Sequence, residues 1–389
     1  MKSGSPLTRR AEIIGWGMCV PKQVVTNEDL AQTLDTSDDW IRSRTGIAQR
    51  RIAGDHESSA QMAIEAARSA LQVADANPRE IDLIIVGTTT PDHTFPSTAC
   101  QVQGALGAVR AGAFDLSAAC SGFVYALATA HQAIASGEHD LVLVIGVDCL
   151  SRRLNWQDRS TCVLFGDGAG AVLLRAGEGP AGVLATVLGA DGSGGDVLII
   201  PAGGCAAPLT PEVLEQNLHT IHMNGQEVYR FATRVLPTAT EQVTKKAGLA
   251  LDEVDVIVPH QANLRIVEMA SRRLKVPMER FVINIEEYGN TSAGSIPIAL
   301  CEAIEQGRIA PGSNVVMVGF GAGLTWGAVA IKWSVPPEEA ISPRYRNWWR
   351  WLLYRWASMR GGWLRTTRNA TVWLIRRTTR RDRYPRNLD

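Results

Sequence analysis

The stretch Ala113-Phe114-Asp115-Leu116-Ser117-Ala118-Ala119-Cys120-Ser121-Gly122-Phe123-Val124-Tyr125-Ala126-Leu127-Ala128 changes character at Cys120. Upstream, an apolar strand shortens into small residues. Downstream, Ser121–Ser136 reads as a buried helix. The thiol therefore stands at a strand-to-helix junction, on the first turn of that helix. Unpaired amide groups and the positive end of the helix dipole meet there, and both favour thiolate over thiol. A cysteine titrating ordinarily near pH ~8.5 becomes a usable nucleophile once such surroundings lower that value. The bland alternative is one more small buried residue, and this segment alone leaves both readings open.

Two further segments bear on the choice. Val254-Asp255-Val256-Ile257-Val258-Pro259-His260-Gln261-Ala262-Asn263 places a histidine just past a short buried strand. Asn284 to Pro297 carries Tyr288-Gly289-Asn290-Thr291-Ser292, an asparagine in a Gly-rich turn before another helix. Strand ends feeding helix starts are where α/β proteins put reactive groups. Cys120, His260 and Asn290 then supply a nucleophile, a proton handler and a neutral hydrogen-bond donor.

The chain also repeats itself faintly. Pro78-Arg79-Glu80-Ile81-Asp82-Leu83-Ile84-Ile85-Val86 is echoed by Leu251-Asp252-Glu253-Val254-Asp255-Val256-Ile257-Val258. About 34 residues after each run comes a reactive junction, Cys120 in one half and Asn290–Ser292 in the other. About 26 residues further on stand Leu141–Gly146 and Asn314–Gly319, both apolar. Short buried strands alternating with helices predict mixed α/β sheets. Duplication predicts a pseudo-twofold with a site at its centre.

Several separated motifs resemble those of the 3-oxoacyl-acyl-carrier-protein synthase III family of thiolase-like condensing enzymes. They are Asp35–Ile41 with Arg44-Thr45-Gly46-Ile47, Phe95-Pro96-Ser97, the Cys120 segment, Leu164–Gly170, Met223–Val228, Pro259–Asn263, Tyr288–Ser292 and Gly319–Gly327. The resemblance spans about residues 10–335. It implies an α/β, thiolase-like, duplicated five-layer αβαβα fold. Residues 1–180 would be the half carrying the nucleophilic cysteine and residues 181–335 the half carrying His260 and Asn290. It also implies the chemistry: Cys120 takes an acyl group from acyl-CoA, and His260 and Asn290 hold the thioester carbonyl of malonyl-acyl-carrier-protein. Loss of CO2 leaves an enolate, whose charge needs preorganised donors, and its carbon attacks the Cys120 thioester. Backbone N–H groups of Cys120 and Ala322 would form the oxyanion hole. Within the resemblance, thiolases place a second cysteine as third partner, the hydroxymethylglutaryl-CoA synthase branch a glutamate, and elongating ketoacyl synthases a second histidine. Asn290 therefore points to decarboxylative condensation by the synthase III or chalcone-synthase-like branches, and the Tyr288–Ser292 wording favours synthase III.

The resemblance likewise implies that Trp40 and Arg159 sandwich the adenine of CoA, with Thr36 and Arg44 holding the nucleotide end. Trp40 as a helix-face core residue and Arg159 as an ordinary surface arginine are the alternatives. Phe95 would shape the acyl pocket, reaching across a homodimer interface, with help from the loop near 205–220. Arg265, Arg272 and Arg273 follow His260 on one helix and suit an exposed strip for the acidic acyl carrier protein, although such strips are often merely solvated. No cofactor is expected beyond the substrates acyl-CoA and malonyl-acyl-carrier-protein. The remaining histidines and cysteines share no metal-ligand spacing, so no metal site is expected. Gly166–Gly170 lacks the Lys-Ser or Lys-Thr of a phosphate loop and reads as a turn into a buried strand.

Bulk properties agree. Lys plus Arg and Asp plus Glu both number 39 in 389 residues, so the molecule as a whole carries no net positive charge that would point to nucleic acid. Seven scattered cysteines suit a reducing cytoplasm. Met1–Arg10 lacks an apolar signal core, and no run approaches the roughly 18 apolar residues of a membrane span. Residues 336–389 depart from the family as a basic Arg/Trp-rich extension. Residues 341–389 hold 13 arginines and 6 of the 11 tryptophans against two acidic residues. Trp348–Trp356 suits an anionic lipid surface, equally an acidic protein surface or RNA, or else a tail without a fixed role. Two other functions stay open at this level. One is a starter-unit acyltransferase or condensing enzyme of secondary metabolism, and the other is a non-catalytic scaffold recruited by its tail.

Overall fold

The computed structural model describes residues 9–335, so the basic extension and its expected membrane or acidic-partner contact lie outside the described residues. One sheet is built from β1 (Arg10–Cys19), β2 (Leu83–Gly87), β3 (Gly112–Leu116), β4 (Leu141–Cys149) and β5 (Asp167–Gly177), in the order β1-β5-β4-β2-β3. The second comprises β6 (Gly182–Ala190), β7 (Val256–Pro259), β8 (Asn314–Gly321) and β9 (Thr325–Lys332), in the order β7-β8-β9-β6. Read from its other edge, the second order is β6-β9-β8-β7, the counterpart of β1-β5-β4-β2. The strand directions match too: β2 is parallel to β4 and also to β3, β7 is parallel to β8, and the pairs β1-β5, β5-β4, β8-β9 and β9-β6 are antiparallel. Phe281 bridges Ile257 in parallel where β3 would stand. The duplication heard in the sequence is thus a duplication of sheet topology.

Among the described residues the seven longest helices are α1 (Asp38–Thr45), α2 (Ser59–Val73), α3 (Thr98–Leu106), α4 (Gly122–Ala135), α5 (Gly225–Lys246), α6 (Leu264–Leu274) and α7 (Ser295–Glu305). Strand alternation sets the layers. Val142 and Val144 of β4 join Val315 and Met317 of β8 in a central core with Phe123, Leu127, Ile296 and Leu300 of α4 and α7. Leu141, Leu143 and Ile145 face the other way, against Met62, Leu71 and Val102 of α2 and α3. Val316 and Val318 meet Phe231, Leu236 and Ile266 of α5 and α6. Both faces of each sheet are covered, which is why these strands read as continuous apolar runs and not as alternating ones. The five layers are therefore α2/α3, sheet, α4/α7, sheet, α5/α6. Burying each such side chain stabilises the fold by about 1.5–3 kcal/mol relative to exposure.

α4 and α7 are each entered through a 3-10 turn, Ala119–Ser121 and Ser292–Gly294. The first residues of the two turns, Ala119 (φ 47°) and Ser292 (φ 51°), are both left-handed without being glycine. Such backbone costs of order 1–2 kcal/mol and persists where its surroundings enforce it. The turns sit tightly: a Cβ on Gly146 of β4 would lie 2.1 Å from the Ala293 carbonyl oxygen. Gly146→Ala should therefore lose about 3 kcal/mol of stability in denaturant unfolding. Wild-type stability in that variant would mean that the turn is not pressed against β4.

Candidate active site

The strand-to-helix junctions bring Cys120, His260 and Asn290 to the wall of one cavity of about 220 Å³. Cys120 lies in the 3-10 turn ahead of α4. His260 follows β7, and its backbone N–H donates to the Val318 carbonyl of β8 at 2.8 Å. The backbone of Asn290 is clamped from both sides, donating to Leu164 O at 2.9 Å and accepting from Gly166 N–H at 3.0 Å. All three are buried, at 6%, 2% and 6% exposure.

Burial decides their charge. A cation at position 260 would be stripped of water, and this desolvation pushes the imidazole down to about 3, so it is neutral at physiological pH. Nδ1 lies 2.6 Å from Ser295 Oγ, and that oxygen already accepts the Gln261 N–H at 3.4 Å. With the Ser295 hydroxyl donating to Nδ1, the ring proton sits on Nε2. Phe320 packs edge-on against the ring, centroids 5.3 Å apart. Asn290 Oδ1 accepts the Ser292 N–H at 2.9 Å, which fixes the amide orientation. Among the described residues its Nδ2 donates to none. Two neutral side chains thus line the cavity with a free N–H end each.

Cys120 departs from the sequence expectation. Its place before a helix is as read, but desolvation pushes the thiol up to about 12 instead of down, with the Asp148 carboxylate acting in the same direction. The Ser292 hydroxyl, 3.4 Å from Sγ, and the start of α4 act the opposite way. Burial outweighs both, so the resting nucleophile is a thiol.

Cys120 also lines a second cavity of about 400 Å³, whose wall includes Leu150, Phe165, Leu198, Ile199, Ile200 and Ile221. A short apolar chain fits such a lining. The 205–220 loop itself is not part of that wall; the residues flanking it are. Ala322 borders the same cavity. Its loop is tied to the nucleophile turn by Thr325 Oγ1, which donates to Ala118 O at 3.0 Å and lies 2.7 Å from Ser121 Oγ. Glycine is required at 321, where a Cβ would come within 2.7 Å of Cys120 N. Phe95 borders neither cavity of its own chain and is 84% exposed, on the segment between β2 and α3. Within one chain it shapes no pocket.

α1 is capped by Ser37, which accepts the Trp40 N–H, and ends at Gly46 with φ 83°. It places Arg44 one turn after Trp40, with the guanidinium 4.5 Å from the ring centroid and at the wall of the first cavity. Arg159 reaches the same indole at 4.8 Å and is held by the Asp35 carbonyl. A base between indole and guanidinium needs about 7 Å, two stacking contacts, so this slot is closed. The Thr36 hydroxyl is buried with no partner among the described residues. Arg265, Arg272 and Arg273 are exposed on α6, and none pairs with a carboxylate among the described residues. Sequence reading missed Arg230 and Arg234, exposed on the neighbouring α5. It also missed Ser295 behind His260 and Asp148 beneath the turns. The i, i+4 spacing could have signalled the arginines, whereas the other two depend on long-range packing. Among the described residues no group of His, Cys, Asp and Glu could hold a metal ion.

Comparison with known proteins agrees with this geometry. Residues 114–192 match the family model of 3-oxoacyl-[acyl-carrier-protein] synthase III, and residues 244–333 match that of its C-terminal region. The beta-ketoacyl-[acyl-carrier-protein] synthase III of Symbiobacterium thermophilum is 54% identical over 84% of this chain and 98% of its own length. That of Caldanaerobacter subterraneus is 51% identical over 83% and 98%. The crystal structure of 3-oxoacyl-[acyl-carrier-protein] synthase III from Aquifex aeolicus superposes with a TM-score of 0.77 at 47% identity, covering 83% of this chain and all of that one. A nucleophile turn, a neutral histidine and an oriented asparagine on a duplicated scaffold, with relatives this close along nearly their whole length, place the chain in the beta-ketoacyl-[acyl-carrier-protein] synthase III family.

Proposed function

We propose that this chain performs the initiating condensation of fatty-acid synthesis, joining an acyl-CoA primer, acetyl-CoA in the first instance, to malonyl-acyl-carrier-protein. One observation carries the reading: His260 and Asn290 offer neutral N–H donors in the cavity that holds Cys120. An enolate is stabilised by donors that bring no negative charge of their own. The Cys120 sulfur attacks the acyl-CoA thioester, its proton leaves with the CoA thiol, and the acyl chain takes the apolar cavity beside Ile199 and Ile221. The N–H groups of Cys120 and Ala322 receive the oxyanion. Malonyl-acyl-carrier-protein then loses CO2, and the bond pair passes to an enolate held by His260 Nε2 and Asn290 Nδ2. The enolate carbon attacks the Cys120 thioester, and the cysteine sulfur leaves as a thiolate that takes up a proton from solvent, restoring the thiol. The products are 3-oxoacyl-acyl-carrier-protein, CoA and CO2.

Thr36, Trp40, Arg44 and Arg159 serve the nucleotide, with Arg159 swinging off the indole to admit the base. Arg265, Arg272 and Arg273 serve the carrier protein, and Arg230 and Arg234 extend the strip. A homodimer formed along the β3 edge would cover Phe95, Val109 and Phe114, which are 84%, 70% and 40% exposed, and would bring Phe95 to the partner's acyl pocket. The halves divide near residue 180, between β5 and β6. Among the described residues no helix is long and apolar enough to cross a membrane, and the cytoplasm is the compartment that suits the free cysteines.

Incubation with acetyl-CoA and malonyl-acyl-carrier-protein, followed by intact-mass analysis, should give an acetyl adduct on the wild type, none on Cys120→Ala, and 3-oxobutyryl carrier only with the wild type. His260→Ala and Asn290→Ala should keep the adduct and each lose about 100-fold or more in condensation. An adduct without carrier product in the wild type would overturn the acceptor assigned here. The raised thiol sets a second expectation. Below its midpoint the thiolate fraction grows about tenfold per pH unit, so iodoacetamide labelling of Cys120 should climb through pH ~9 without levelling. A plateau below pH ~7 would mean a resting thiolate.

A further inference from the structure

Asp148, at the end of β4, is fully buried, and none of the ion pairs among the described residues includes it. Removing a carboxylate from water costs several kcal/mol unless donors replace the water. Six do. Oδ1 accepts from Thr88 Oγ1 (3.1 Å), Thr89 N (2.8 Å), Thr89 Oγ1 (3.0 Å), Thr90 N (3.1 Å) and Thr90 Oγ1 (3.0 Å). Oδ2 accepts from Ala293 N at 3.3 Å. Five donors come from the segment that follows β2, whose Thr89 lines the apolar cavity beside Cys120. The sixth comes from the other half of the molecule, from the turn that enters α7. Ala293 follows Ser292, whose N–H holds the Asn290 amide and whose hydroxyl touches Cys120 Sγ.

We infer that Asp148 is a positioning residue for the condensation step, its carboxylate fastening the Asn290–Ala293 turn to the Thr88–Thr90 segment and so fixing the Asn290 donor relative to Cys120. The inference rests on the reaction proposed above. Its geometry makes the isosteric amide, Asp148→Asn, a selective probe. Five donors keep the amide oxygen on the threonine side, which turns the new NH2 towards the Ala293 N–H, donor against donor. The threonine segment stays held while the link across the halves is cut. Acylation needs Cys120 and its cavity, whereas condensation also needs Asn290 in place. A purely structural carboxylate would weaken both steps alike.

The test uses full-length Asp148→Asn, compared with wild type for acetyl-enzyme formation and for condensation with malonyl-acyl-carrier-protein. Acetyl-enzyme formation should stay within about threefold while condensation falls about 30-fold. Equal losses in both, or none in either, would overturn the inference. Thr88→Val removes one donor to Asp148 together with an acceptor of the Thr90 N–H, and should show the same split at about threefold, which keeps the test decisive if Asp148→Asn does not fold. Iodoacetamide labelling of Cys120 gives a readout independent of the reaction. The titratable and charged groups around Cys120 are Asp148 on β4, His260 after β7, and Arg44 and Tyr229 at the cavity wall. With the Cys120 turn left in place, Asp148→Asn should label no more slowly than the wild type, and labelling slowed in step with condensation would count against the inference. A wild type that labels and acylates but makes no 3-oxoacyl product would overturn the proposed function instead, and the labelling comparison would still decide whether Asp148 acts on Cys120.

Discussion

Everything in this molecule depends on the contact between two short turns, Ala119–Ser121 and Ser292–Gly294, at the centre of a duplicated scaffold. Each turn is the entrance to a central helix, each begins with a left-handed residue, and each is pressed against a strand where only glycine fits. The close approach sets the distance between the nucleophile carried by one half and the donors carried by the other. It also excludes water, so that the chemistry runs on neutral groups. A charged histidine or a free thiolate would need solvation that this interior does not supply.

Duplication explains how such a site arises from ordinary packing. The two sheets repeat one topology, and their alternating faces build three cores around paired helices. The same structural position is occupied by Cys120 in one half and Ala293 in the other, so one copy keeps the nucleophile while its counterpart supplies backbone. The N–H of Ala293 reaches the buried Asp148, and the neighbouring Ser292 reaches both Asn290 and Cys120.

Much of this was legible in the sequence for physical reasons. Apolar runs such as Leu141–Gly146 and Asn314–Gly319 announce strands covered on both faces, and their spacing from Cys120 and Asn290 announces the repeat. Small residues before Cys120 mark the junction because the turn passes within contact of β8 at Gly321. What the sequence hid was solvation and long-range pairing. A helix start says nothing of how deeply its first turn is buried, so the direction of the Cys120 shift was misread. Asp148 looks unremarkable at the end of a strand, since its six donors come from positions 88–90 and 293. Phe95 reads as a pocket residue by resemblance, yet a single chain leaves it exposed. Arg159 reads as a clamp, yet it rests on Trp40.

The central claim is that burial keeps His260 neutral beside the Asn290 amide, with its ring proton on Nε2. The most direct measurement is the side-chain ¹⁵N spectrum of the full chain across pH, with His260→Gln assigning the resonance. The account predicts a neutral, Nε2-protonated imidazole down to about pH 4.5, well below the ordinary histidine midpoint of about 6.5. An imidazolium at pH ~7, or a proton resident on Nδ1, would contradict it.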